Sequence, residues 1–368
     1  MLNRIYIITI GLLISACGSS IAQYEKKILG DWKEVKRIYK PGTYGAPNNG
    51  NSGFTFYPKN SYDNKQGFFN VVTNGVSFLG YSSKYTLKND SLILFTPQSK
   101  ETYTQKIYKL SKDSLIIGNE YEKTVYARYK TNINQSPQFD RIVLSTSGCF
   151  GKCPVITISI DKTGFLLFEG KRFTTKTGIY ESVISKNLYK QLQDKFRQTD
   201  FTKLASDYSG SGTDDQIVSV TFLKNGRVFK TVSDYGRTAP AEFTWVYPAW
   251  TYLYQHVNLK KVRYYDLLQG YHIRGHFKKD SSILVLSQSE DFLLYDMLRN
   301  GKRISQKAPA VYFMDVANED EKIVGKIVTD GRYYTFLEKG KTITIDIGFN
   351  FVTDIEKFHK WRAAGEYD

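Results

Sequence analysis

Tyr85-Thr86-Leu87-Lys88-Asn89-Asp90-Ser91-Leu92-Ile93-Leu94 is echoed 23 residues later by Tyr108-Lys109-Leu110-Ser111-Lys112-Asp113-Ser114-Leu115-Ile116-Ile117. Each copy reads as strand, Asx-type turn, strand, because Asp and Ser side chains hydrogen-bond locally and close tight turns. A copied hairpin is the repeating unit of an antiparallel meander. Upstream, the strand candidate Gly53-Phe54-Thr55-Phe56-Tyr57 lies between two stretches, 40–52 and 58–66, too rich in turn formers for a regular element. The chain holds 28 Tyr and 23 Phe. Its β-branched and aromatic runs outnumber helix-favouring heptads, a balance that argues for sheet.

The first of these strands, Gly30-Asp31-Trp32-Lys33-Glu34-Val35, follows Ile28-Leu29. Ile28-Leu29-Gly30-Asp31-Trp32 ahead of repeated short strands resembles the opening of the small lipocalin-like domains of exported bacterial proteins, over about residues 24–130. The resemblance implies a small antiparallel β-barrel in which Trp32 plugs the closed end. A barrel of this size is filled by its own side chains or holds one small apolar ligand.

A polar, Pro-containing stretch at 131–139 reads as a linker. Beyond it, strands are expected at 141–146, 154–160, 165–169 and 177–184, and then a helix over 186–197 capped by Ser185, with Leu188, Leu192 and Phe196 on one stripe. Strands at 216–223 and 227–233 flank Lys224-Asn225-Gly226, a hairpin signal. A helix from Pro240 to about Val257 would close the unit. Gly148-Cys149-Phe150-Gly151-Lys152-Cys153-Pro154 before an Ile/Val-rich strand resembles an uncharacterised bacterial domain, here spanning 140–258. Asp161-Lys162-Thr163-Gly164 stands where that domain more often has Asp-Gly, so a turn one residue longer is implied. The resemblance supplies a fold and no activity.

In the last region, 260–368, Phe277–Leu284 repeats the turn chemistry of the first domain. Ser289-Glu290-Asp291 would cap a helix to Asn300, stopped by Gly301, and strands are expected near 310–316, 322–329, 332–338 and 341–347. The fold expected is therefore a β-rich α+β chain: a lipocalin-like barrel followed by one or two antiparallel-sheet-plus-helix domains.

Arg4, the apolar run Ile5–Ile14, Ser15, Ala16 and Cys17 form a leader too short for a membrane-spanning helix, which needs about 20 apolar residues. Ile14-Ser15-Ala16-Cys17 resembles the bacterial lipobox, which implies cleavage before a lipidated (palmitate-type) Cys17 and a membrane partner through that anchor. Several acyl chains hold firmly where one does not. Gly18 after the cysteine favours the outer membrane by analogy with lipoprotein sorting. Ser20-Ile21-Ala22 offers a rival cut at the end of a 1–22 signal peptide, leaving a soluble periplasmic or secreted protein. The formal charge is +15. It suits anionic envelope components, whereas an exported chain rarely meets nucleic acid.

Cys149 and Cys153 are the sharpest chemical feature. In a straight strand four residues span roughly 13 Å, too far for a disulfide, but Gly148, Gly151 and Pro154 let the chain turn. In an oxidising envelope the pair should close. The alternatives are a redox centre, whose usual Cys-x-x-Cys spacing is one residue shorter, and a zinc site, which lacks two further ligands. A stapled loop would present Phe150 and Lys152 to a partner. His272 and His276, four apart, would share one strand face, but without the Glu of a zincin helix they read as ordinary residues. Asp207, Asp214 and Asp215 flank a Gly/Ser loop without EF-hand spacing. No cofactor motif, metal site or catalytic constellation emerges. The sequence thus points to a non-enzymatic envelope lipoprotein that binds a ligand or partner. Two alternatives stand beside it: a hydrolase of cell-wall or glycan material using the 206–215 loop, and a secreted inhibitor or assembly factor.

Overall fold

A computed structural model describes residues 24–365 except 44–49, 74, 131–136, 211, 263–267, 269, 270 and 339. Cys17 and its leader lie outside the described residues. The chain divides into two compact units. One is built from the chain up to Val72, Ser77–Asn132 and Pro240–Pro248; the other from Thr73–Val76, Ile133–Ala239 and Ala249 onward.

The first unit holds a closed barrel of β1 (Gly30–Tyr39), β2 (Gly53–Tyr57), β3 (Ser61–Val72), β4 (Gly75–Lys88), β5 (Ser91–Thr96), β6 (Glu101–Leu110), β7 (Ser114–Gly118) and β8 (Glu122–Arg128). The echoed segments are hairpins. β4 and β5 pair from Lys88↔Ser91 around Asn89, whose φ of 54° places it in the left-handed region a tight turn uses. β6 and β7 pair from Leu110↔Leu115, with a connection two residues longer. Closure runs from Trp32↔Arg128 to Tyr39↔Glu122 between β1 and β8, and the register shifts between Glu34 and Lys36. Bulges of this kind bend a strand enough for a sheet to close.

The barrel interior is filled by its own rings. Phe54, Phe56, Tyr62, Tyr85 and Tyr126 pack with centroids 5.0–5.9 Å apart, around Leu92, Leu115 and Ile117. Trp32 is fully buried among them. Its Nε1 donates to Ile28 O at 2.6 Å, in a short helix, α1, at 24–28. The Arg128 guanidinium covers its ring at 3.8 Å and donates to the carbonyls of Lys27 and Leu29. Pro240–Pro248 joins this unit through Trp245 Nε1, which donates to Asn51 O at 2.6 Å.

The second unit carries two further sheets. The first comprises β9 (Arg141–Thr146), β10 (Val155–Asp161), β11 (Phe165–Arg172), β12 (Gly178–Val183), β13 (Asp207–Tyr208), β14 (Ile217–Lys224), β15 (Arg227–Tyr235) and β16 (Lys260–Lys261), in the order β13-β15-β14-β9-β10-β11-β12-β16. The β14–β15 turn places Asn225 at φ 53° and Gly226 at φ 70°, the paired left-handed residues of a tight hairpin. Helix α2 (Lys186–Phe196) starts at its expected cap, the Ser185 hydroxyl accepting from Leu188 N. The single helix expected over 240–257 is instead broken into α3 (Ala241–Thr244), α4 (Tyr247–Thr251) and a 3₁₀ turn, Leu253–Gln255. Pro248 explains the break: it has no N–H to give a continuing helix, yet is tolerated in the first turn of a new one.

The last sheet contains β17 (His272–Ile273), β18 (His276–Lys279), β19 (Ser282–Val285), β20 (Lys302–Ile304), β21 (Tyr312–Ala317), β22 (Ile323–Thr329), β23 (Tyr333–Glu338), β24 (Lys341–Asp346) and β25 (Arg362–Ala363). Between them run α5 (Gln288–Asn300) and α6 (Phe351–Ile355). The cap of α5 is Ser287, two residues before the expected Ser289, and forms a reciprocal capping box with Glu290. Ser289 is buried instead: its N–H donates to Ser219 Oγ at 3.0 Å and its hydroxyl meets Thr221 Oγ1 at 2.8 Å. Arg141 and Asp296 pair at 2.6 Å. These contacts seat α5 on the middle sheet, and one apolar core runs through both, from Val143, Leu223 and Val228 to Leu293, Leu294 and Leu298. Among the described residues no helix is long and apolar enough to cross a membrane.

Candidate functional site

Helix α5 has two faces that matter. Leu293, Leu294 and Leu298 enter the core, while Gln288, Asp291, Phe292 and Tyr295 recur at i, i+3, i+4 and i+7, the spacing of one helical stripe. That second stripe roofs a cavity of about 500 Å³. Its floor is the middle sheet: Thr146, Val155, Ile156, Thr157, Glu169, Lys171 and Ile179. Tyr271, His272 and Ile273 close one side. The volume lies within the range of small-molecule sites, and the lining matches their usual make-up of apolar and aromatic walls with a few polar groups.

The charges are unevenly placed. Lys171 and Glu169, two apart on β11 and so on one face, pair at 3.4 Å, with the lysine side chain 62 % exposed. His272 is turned toward Glu321, at 3.4 Å. Asp291 receives no side-chain hydrogen bond or ion pair from a described residue; beside it stands Gly275, where an added Cβ would lie 3.4 Å from the carboxyl carbon. Burial pushes the Asp291 carboxyl up to about 6; Lys171 and His272 pull it down, and Glu169 and Glu290 push it further up. A desolvated carboxyl facing a cavity is where a ligand or proton would be handled.

The residues singled out in the sequence lie elsewhere. Cys149 and Cys153 are joined in a disulfide with Cα atoms 5.7 Å apart. Phe150, 89 % exposed, and Lys152, also exposed, ride on that loop. The loop is tied down by Phe150 N–H donating to Asp214 O at 3.0 Å, and by Gln216 Nε2 donating to Ser147 O and Pro154 O at 2.8 and 2.9 Å. Asp207 sits on β13, at the edge of the sheet remote from β10–β12; neither it nor Asp214 and Asp215 lines the cavity. His272 and His276 do not share a strand face: Arg274 and Gly275 separate two short strands, and His276 turns to Asp315 at 3.8 Å. Among the described residues no cluster of His, Cys, Asp or Glu could hold a metal ion. The signal for the true cavity wall was the 288/291/292/295 stripe, whose mixed polarity resembles that of a solvated helix face.

The middle sheet and its helices place these walls. Residues 140–254 match a domain of unknown function, DUF6438. The match covers the floor of the cavity and the disulfide loop but not α5 or β17. No curated protein matches the chain. Among solved structures, an uncharacterized protein from Bacteroides eggerthii is 16 % identical, with a TM-score of 0.21, the alignment covering 28 % of this chain and 99 % of that one. A lipocalin-like protein from Bacteroides uniformis is 19 % identical, with the same TM-score and coverage.

The disulfide closes a short loop, so its removal should cost about 2 kcal/mol through loop-closure entropy. Cys149→Ser with Cys153→Ser is expected to raise hydrogen exchange across 147–154 and 214–216 while β9–β10 pairing persists. Unchanged exchange there would show that backbone bonds alone hold the loop.

Proposed function

We propose that this chain is an exported envelope lipoprotein, anchored at Cys17, that binds a small ligand in the cavity of its second unit without transforming it. One observation carries the assignment of the site: the barrel is filled by its own aromatic side chains, whereas about 500 Å³ lies open beneath α5. The apolar leader ending at Cys17 supports the address. So does a disulfide, a bond that persists in oxidising compartments. Binding is tested by ligand-observed NMR with a mixture of neutral, cationic and anionic aromatic fragments. Gln288→Trp, at an exposed position on the cavity rim, is expected to abolish the hits; hits indifferent to it would place binding elsewhere. Anchoring is tested separately. Cys17→Ala should move the protein from the membrane to the soluble fraction, and continued membrane association would count against the lipid.

A second reading, a hydrolase of cell-wall or glycan material, draws on a different observation: two carboxyl residues line one cavity, Glu169 paired with Lys171 at 3.4 Å and Asp291 pushed up toward neutrality by burial. Carboxyl groups held in unlike environments are how acid and base roles are divided. Release of soluble fragments from purified cell-wall glycan, lost in Asp291→Asn, would establish it over the binding reading.

A further inference from the structure

We propose that the cavity beneath α5 takes an ammonium group carried on an apolar or aromatic stem, with the Asp291 carboxylate as its counter-ion. This rests on the binding reading above and names its ligand class. The argument is one of charge placement. Of the four carboxyl, amine and imidazole side chains in the walls, Lys171 is spent on Glu169 at 3.4 Å and His272 is turned toward Glu321. Asp291 is left facing the cavity without a donor from any described residue. A carboxyl partly withdrawn from water and given no protein donor gains most from a ligand that brings both positive charge and N–H groups, since charge-assisted hydrogen bonds are the strong ones. Phe292 follows Asp291 on the same helix and Tyr295 lies one turn on, with Tyr271 on the adjoining wall. Aromatic faces attract cations and bury the stem that carries them. An anionic ligand would meet Asp291 and Glu169 with a single lysine already paired.

Binding should be coupled to protonation. Groups facing Asp291 are Lys171 and Glu169 from β11, His272 from β17 and Glu290 from its own helix. An ammonium favours the ionised carboxyl, so at a pH near the midpoint its arrival displaces a proton from Asp291 to the buffer.

The test uses the full chain and phenethylamine as the probe, titrated by NMR against the neutral 3-phenylpropan-1-ol and the anionic 3-phenylpropionate. At pH 7.5 the amine should bind at least tenfold tighter than the alcohol, and the propionate weakest. At pH 5.0 the preference should fall about tenfold as the carboxyl is protonated. Asp291→Asn should erase the preference at both pH values while the alcohol still binds. Repeating the pH step in His272→Gln separates Asp291 from the imidazole. Calorimetry at pH 6.0 in two buffers of different ionisation enthalpy should register proton release on amine binding. Equal affinity for amine and alcohol, a preference that survives Asp291→Asn or pH 5.0, or no saturable amine binding would each overturn the proposal. Alcohol binding lost in Gln288→Trp, without amine preference, would sink the ammonium assignment and leave the cavity as the binding site.

Discussion

Trp32→Ala is expected to destabilise the barrel by about 3–5 kcal/mol, the range for deleting a large aromatic side chain from a packed core. The indole is fully buried and does three things at once. It fills volume against a ring-packed interior, it satisfies Ile28 O through Nε1 at 2.6 Å, and it carries the Arg128 guanidinium at 3.8 Å. That guanidinium binds the carbonyls of Lys27 and Leu29, so losing the ring also loosens the helix at 24–28. Trp32→Phe should cost less, about 1–3 kcal/mol, because most of the volume stays but a buried carbonyl loses its donor. Since the chain has two compact units, a single melting temperature would blur the effect. Hydrogen exchange by mass spectrometry resolves it: protection should drop across β1–β8 and hold across β9–β12. A loss under about 1 kcal/mol for Trp32→Ala would mean the site collapses around the gap, and Trp32 would then not be the plug that its place in the sequence implies.

The features legible in the sequence are those fixed by neighbours along the chain. The Asn89-Asp90 and Asn225-Gly226 turns, the apolar runs of β9 and β10, and the Ser185 cap are local, and they stand within a residue or two of expectation. Residues 140–258 read as one domain from a seven-residue motif, and a family of unknown function matches 140–254. Closure of the barrel was implied by resemblance alone, because the β1–β8 pairing and its shift at Glu34/Lys36 join residues about ninety apart. The helix at 240–257 is first interrupted ahead of Pro248, whose missing N–H outweighs the apolar periodicity around it. The cavity was illegible for a different reason. Its floor and roof come from regions more than a hundred residues apart, and Gln288, Asp291, Phe292 and Tyr295 carry no motif. Only the docking of α5, through Ser289 on β14 and Asp296 on Arg141, turns an ordinary amphipathic stripe into a wall.

The same docking makes Asp291 a liability that can be measured. Its folded value is raised from 3.8 to about 6, so between those values the native state holds a proton that the unfolded chain has already released. Stability therefore falls as pH rises from about 4 to 6, and stays reduced above that. The full shift would correspond to about 3 kcal/mol at 1.36 kcal/mol per unit; partial exposure and relaxation bring the expected penalty to about 1–3 kcal/mol. Asp291→Asn is nearly isosteric and cannot ionise, so at pH 8 it should stabilise the second unit by that amount. That corresponds to roughly 2–4 °C in Tm for each kcal/mol in a unit of this size. At pH 4 the two proteins should melt together, because the carboxyl is then largely protonated in the folded state. Equal or lower stability of Asp291→Asn at pH 8 would show that the carboxylate is satisfied in the free protein, and would remove the reason for expecting a cationic ligand beside it. A gain at pH 8, together with loss of phenethylamine preference, would tie the two effects to one atom group. The charge that weakens the empty protein would then be the charge that holds the ligand, as expected where a site is kept for binding at the expense of stability.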